Sequence, residues 1–244
     1  MKRLVLVVVV LVCLFAVFSC TGPAGPEGPA GPEGPEGPTT PGLYYIRIFQ
    51  NGVYSSTYAG QVQSSLFDSY SGPVYTNNTM PIGVGESNLG GTYRALIKFD
   101  LSSLPSSKII VDKAELIIKT SSVNYGGGAM NMTVHKLTKA WVMYEAGWNW
   151  ASQGVNWGSY GGDYDANTIT PQSATINIPA NSTITIELDP KTVQGWMENP
   201  GTNYGLIIRG VDEYTTNNYA EIYPSGATDP ANRPMLKVWY YTVE

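Results

Sequence analysis

Sulfur chemistry is nearly absent from this chain. Its 244 residues include two cysteines, Cys13 and Cys20, and no thiol beyond position 20. A disulfide framework is therefore excluded for the remainder, whose stability has to come from a buried core. Histidine is as scarce, with His135 alone. One imidazole without a free thiol cannot build the usual zinc site. Charge is thin: 14% of residues are Asp, Glu, Lys or Arg, and 14 basic residues face 19 acidic ones. Such a chain is a poor partner for nucleic acid, whose binders present basic patches. No serine stands in a nucleophile-elbow setting. What the chain has instead is 27 glycines, 17 tyrosines and 6 tryptophans, a mixture that favours strands over helices.

The chain opens Met1-Lys2-Arg3, and the uncharged run "LVLVVVVLVCLFAVF" follows from Leu4 to Phe18. A basic start, an apolar run and a small residue before a cleavage point describe a secretory signal peptide over residues 1–19. The competing reading is an uncleaved membrane anchor, for which the run is slightly short. The segment "VFSC", Val17 to Cys20, resembles the lipobox of bacterial lipoproteins. That resemblance implies cleavage before Cys20, a diacylglycerol thioether on its sulfur and acylation of the new amine. Several acyl chains hold a protein to a membrane where a single one is marginal. Either reading places the rest outside the cytoplasm, at the cell surface or the periplasmic face of the envelope.

Residues 20–42 carry the next motif. In "GPAGPEGPAGPEGPEGP" glycine recurs at 22, 25, 28, 31, 34 and 37 without a miss. Proline fixes φ near the polyproline II value, and glycine at every third place is what the crowded axis of a collagen triple helix requires. Seventeen residues at about 3.1 Å each make a stalk on the order of 50 Å long. A stiff single-chain spacer satisfies the same composition. Glu27, Glu33 and Glu36 have no lysine in the stem to pair with, so three aligned copies repel. A shared membrane or a trimeric head offsets this by raising local concentration. The stem is thus a monomeric spacer or the core of a homotrimer.

Residues 43–244 are long enough for one large all-β domain. Loss of Lys2 and Arg3 takes the chain from −5 to −7, and the three stem glutamates leave −4 on this head. Alternation is clear. In "YRALIKFDL", Tyr93, Ala95, Ile97, Phe99 and Leu101 face one way, while Arg94, Lys98 and Asp100 face the other. Ala114, Leu116 and Ile118 alternate with Lys113, Glu115 and Lys119. Met130, Met132 and Val134 share a side, as do Ile184, Ile186 and Leu188. His135 falls on the exposed or inter-strand side. One helix is expected in "LDPKTVQGWMENPG": Asp189 caps it, Pro190 suits its first turn, and Val193, Trp196 and Met197 share a face. The pattern predicts a jelly-roll-like antiparallel β-sandwich with one short helix.

The order "YRALIKFDLSSLPSSKIIVDKAELIIK", the tryptophan-rich "VHKLTKAWVMYEAGWNWASQGVNWGSYGGDYD", "ITIELDPKTVQGWMENPGTNYGLIIRG" and "AEIYPSGATDPANRPMLKVWY" resembles the DNRLRE-type, disaggregatase-related β-sandwich domain. The resemblance covers roughly residues 46–241. It implies a domain of secreted or surface proteins, some of them carbohydrate-binding modules with acidic polysaccharide as a ligand class. An acidic head repels a polyanion unless a basic patch intervenes. Arg94 and Lys98 would begin that patch and Lys113 and Lys119 extend it. The alternative is that all four are ordinary solvated cations.

The sharpest local feature is aromatic. Trp141, Tyr144, Trp148, Trp150, Trp157, Tyr160 and Tyr164 fall within 24 residues. Sugars stack their C–H faces on such rings, with polar groups fixing the hydroxyls. Large rings also cover a core beneath a long loop. Trp141 and Trp148 are expected in the core, and Trp150, Trp157 and Tyr160 are the candidate ligand contacts. Asp163, Asp165 and Asn167 in "GGDYDAN" could wrap a structural calcium or simply form a turn. Glu145 with Asp163 or Asp165 offers a carboxylate pair for glycoside hydrolysis, a signal too common to carry weight. The expected function is recognition or adhesion to a polysaccharide or surface glycan, without catalysis and without a required cofactor. A structural subunit of a surface layer or fibre is the alternative.

Overall fold

The computed structural model describes residues 43–52, 58–70, 72–73, 81–86, 90–105, 108–125, 130–171, 175–214 and 218–243. The expected signal peptide, the lipidation site Cys20 and the Gly-x-x stem lie outside the described residues. Fourteen strands are described: β1 (Tyr44–Phe49), β2 (Gln61–Phe67), β3 (Ile82–Glu86), β4 (Thr92–Phe99), β5 (Ile109–Tyr125), β6 (Met130–Leu137), β7 (Trp150–Ser152), β8 (Val155–Asn156), β9 (Tyr164–Thr168), β10 (Ile176–Ile178), β11 (Thr183–Leu188), β12 (Leu206–Gly210), β13 (Asn218–Ile222) and β14 (Met235–Thr242). Among the described residues there is one α-helix, α1 (Pro190–Glu198).

Strand β5 organises the whole. Ile109 to Ile117 pair antiparallel with β14, and Ala114 to Lys119 pair on the other side with β11. Beyond Lys119 the strand changes partner, and Thr120 to Tyr125 run against β13. One 17-residue strand therefore passes from one layer of sheet into the other. Among the described strands the first layer ends at β1, which pairs with β14 from Tyr44↔Tyr241 to Phe49↔Leu236. The second runs β13-β3-β4-β12-β6, with β2 also on β4 and with β10 and β9 on β6. All of these pairings are antiparallel, and the fold is a curled, β-sandwich-like all-β structure.

The alternating residues meet where expected. Leu116, Ile118, Ile186, Leu236 and Val238 of the first layer share one buried cluster with Ala95, Ile97, Met132, Val134, Leu206 and Ile208 of the second. Helix α1 forms as its sequence predicts. The Asp189 carboxylate accepts from the amides of Lys191 and Thr192, and Val193, Trp196 and Met197 are buried. Gln194 docks it on β5, accepting from the Val111 amide at 2.8 Å and donating to the Ile109 carbonyl at 3.2 Å.

One expectation is overturned here. The polar-looking face of β4 is covered at Arg94 and Leu96, and Lys98 at its far end stays partly exposed. Leu96 of that face joins Leu66, Leu137, Ile207, Ala146, Ala151, Trp148 and Trp157 in a second buried cluster. Segment 138–163 lies over the outer face of β2, β4, β12 and β6, so β4 is covered on both sides. Arg94, expected among solvated cations, is 5% exposed. His135 is buried in the same way beneath β9.

Leu116 faces Ile186 across one register and Leu236 across the other, and it is fully buried. Leu116→Ala is expected to lower unfolding free energy by about 2–5 kcal/mol, the range for a cavity that cannot collapse. Urea denaturation measures it. A loss below about 1 kcal/mol would show that the two layers do not share one close-packed core.

Candidate functional site

The second cluster is roofed by a loop tied down at many points. Within it the Val142 amide donates to Ala151 O, the Gly147 amide to Trp150 O, and the Trp157 amide to Asn149 O. Two indoles are pinned as well: Trp141 Nε1 donates to Tyr204 O and Trp157 Nε1 to Gly147 O, both at 2.8 Å. Trp148 lies buried between this roof and the sheet.

Beneath the roof sits a buried ion cluster. Arg94 Nε donates to Glu213 Oε2 at 3.0 Å and Nη2 to Oε1 at 2.5 Å, while Nη1 donates to Gly161 O at 2.7 Å. The guanidinium also stacks 4.8 Å from the Trp148 ring centre. Glu213 is 1% exposed and takes a second cation, Arg209, at 2.6 Å. Arg209 in turn donates to the Tyr164 hydroxyl. Burial works against the Arg94 charge, and the bonds to Glu213 outweigh it, so its pKa is raised. Gly161 and Gly162 make the geometry possible. Both have positive φ, and a Cβ on Gly161 would fall 2.5 Å from Arg94 Nη1.

Above the cluster opens a cleft of about 810 Å³ whose walls include Thr138, Lys139, Ser159, Tyr160, Asp163 and Tyr164. Tyr160 is 68% exposed on its rim. The loop carrying it is fixed by Asp163, whose two oxygens accept from the Gly158 amide at 2.7 Å and the Ser159 amide at 2.8 Å. Lys139 Nζ spans the cleft wall, donating to Asn156 O at 2.5 Å and lying 3.8 Å from Asp163.

The expected contacts separate into different places. Tyr160 is exposed at the cleft, and Arg94 lies under it as an internal clamp. Trp150 is half-exposed on the β7–β8 hairpin, paired with Asn156. Trp157 is buried, so its role is structural. Lys98 sits at the far end of β4 in a separate groove with Asp100, Ser102 and Trp196. Lys113 lies on the outer face of the first layer, paired to Glu115 at 2.7 Å, and Lys119 donates to Asn232. The four cations do not gather into one patch.

The remaining carboxylates each hold their own turn. Asp165 accepts from the Asn167 amide and side chain, and Glu145 accepts from the Gln153 amide. Among the described residues no three His, Cys, Asp or Glu side chains gather as a metal-binding group. His135 is part of the frame. Its Nδ1 lies 3.0 Å from Asp165 O and 3.2 Å from Asn167 O, so Nδ1 carries the proton and Nε2 accepts from the Thr133 hydroxyl. Burial pushes its pKa down, and the two carbonyls offset part of the shift.

Glu213 is the residue that sequence reasoning missed. It lies 119 positions from Arg94 in an ordinary-looking "VDEY". The paired glycines of "YGGD" and the apolar Leu96 beside Arg94 were the readable signals. No protein-family model and no curated protein matches this chain.

Removing one member of a buried ion pair strands the other, at a cost of about 3–5 kcal/mol. Glu213→Gln is expected to destabilise by that amount in chemical denaturation, and pairing it with Arg94→Met to recover much of the loss. A cost under about 1 kcal/mol would remove the clamp from the account of the cleft. The depressed His135 pKa sets a second expectation. The unfolded chain takes up its proton near pH 6.5 and the native state only below that. This stability is complete above about pH 6.5 and declines as pH falls toward the folded value. Thermal melts between pH 7.5 and 5.5 are expected to show the decline, and His135→Gln to flatten it.

Proposed function

We propose that this chain is a lipoprotein of the cell surface, lipidated at Cys20 and raised on a collagen-like stalk, whose jelly-roll-like head binds polysaccharide by contact and without turnover. The DNRLRE-type resemblance suggests carbohydrate as the ligand class. The observation that carries the reading is Tyr160: a large ring, two-thirds exposed, presented at a cleft by a loop anchored through Asp163 and through the Arg94–Gly161 bond beneath. An exposed ring on a rigid mount suits a sugar face, because the loop entropy is lost on folding and not on binding. Lys139 beside Asp163 leaves the wall close to neutral, which suits a neutral glycan better than a polyuronate. The reading requires no cofactor, and Asp163 and Asp165 serve it as turn anchors.

Affinity electrophoresis tests the proposal. Migration is expected to slow in gels holding a neutral polysaccharide, and Tyr160→Ala to weaken retention roughly two- to tenfold, the worth of one aromatic stacking contact, with the melting temperature unchanged. Equal retention of both proteins would take the cleft out of the interaction. Release of reducing ends during incubation would make the protein an enzyme and overturn the reading.

A further inference from the structure

A strand in a layered β fold ordinarily buries one face. Strand β1 breaks this rule at its start. Tyr44, Tyr45 and Ile46 are 53%, 40% and 56% exposed in succession, and Leu43 before them is 69% exposed. Among the described strands β1 is also the last of its layer, so its outer edge is a template for another chain. The apolar surface continues inward along the sheet: Tyr44 lies 5.6 Å from Tyr241, Ile46 is opposite Trp239, and Ile110 beyond them is 45% exposed. Exposed apolar residues that are contiguous in this way mark an interaction surface.

We propose that the start of β1 with the adjoining outer face of β14 is where copies of this chain associate through their heads. The occupant is a second copy because of what precedes it. Forty-two residues lead into Leu43, and seventeen of them repeat glycine at every third position. That pattern is satisfied when three chains lie side by side, which delivers three heads together by their first residues. Those first residues are the exposed apolar ones. Asp112 stiffens the surface by accepting from the hydroxyls of Tyr44 at 2.8 Å and Tyr241 at 3.1 Å, so few rotamers are lost on contact. The cleft residues Tyr160 and Lys139 lie elsewhere in the head, and three linked copies then present three clefts, multiplying affinity by avidity.

The inference rests on the stalk reading, and the test separates the two. The full lipidated chain is examined in density-matched detergent by sedimentation velocity, as wild type, Gly31→Ala, Ile46→Glu and the double variant. Gly31→Ala breaks the triplet repeat and reports on the stem. Ile46→Glu places a charge on the exposed face. The wild type is expected to sediment as a trimer, Gly31→Ala to retain weaker assembly, and the double variant to be at least tenfold weaker again. Ile46→Glu is expected to keep wild-type melting and polysaccharide retention per head. A double variant that assembles as well as Gly31→Ala overturns the proposed face and leaves the stem reading intact. A monomeric wild type overturns both. Loss of polysaccharide retention in Ile46→Glu with assembly unchanged would make this face a sugar platform, and overturns the proposal.

Discussion

A guanidinium removed from water has to find its charge and its hydrogen bonds again inside the protein, and in this head that necessity fixes everything above β4. Arg94 could not be buried without Glu213, whose carboxylate takes two of its donors. The Gly161 carbonyl takes a third. The third bond reaches the roof, so the electrostatics of one buried pair set the position of a loop. Such a pair is weak evidence of stability when set against an apolar substitute. Its consequence here is specificity of arrangement, since few placements of segment 138–163 put both the Gly161 carbonyl and the Trp148 indole on a guanidinium already held by Glu213.

That arrangement explains why the tryptophans serve different ends. Trp148 and Trp157 fill the space between the roof and the sheet, and Trp141 closes its margin through a bond to Tyr204. The roof needs this apolar filling because the sheet beneath it is apolar too, with Leu66, Leu96 and Ile207 pointing outward. Tyr160 is then left on the surface by a framework that has no use for its ring in the interior. The acidic residues of the loop follow the same division, each spent on the amides of its own turn.

Most of the sheet framework was legible. Alternation marked β4, β5, β6 and β11, and Asp189, Pro190 and the Val193–Trp196–Met197 face marked the helix. The outer face of β4 was not, because a period-two pattern with Arg94 and Lys98 on one side reads as solvent. Leu96 between those cations was the discordant residue, and the unbroken "LII" of β12 was another, since a run without alternation belongs to a strand covered on both faces. Glu213 had no local signature: a carboxylate whose partner comes from another strand more than a hundred residues away is visible only once the sheet order exists. For His135, read as exposed or inter-strand, the sequence could not decide, since β9 covers it and "YDANT" has no strand-like pattern.

The place of β1 bears on how the head is made. Its hydrogen-bonded neighbour is β14, so residues 44–49 close against residues 236–241, the two ends of the head's sequence. A chain emerging amino end first holds its opening strand without a mate until nearly all of it has appeared. Loop closure over that span is slow, and topologies rich in such distant pairings fold slowly. The delay lengthens the time in which aromatic "YYIRIF" is open to capture by other strands. Late closure therefore leaves a window for helper proteins or for misassembly.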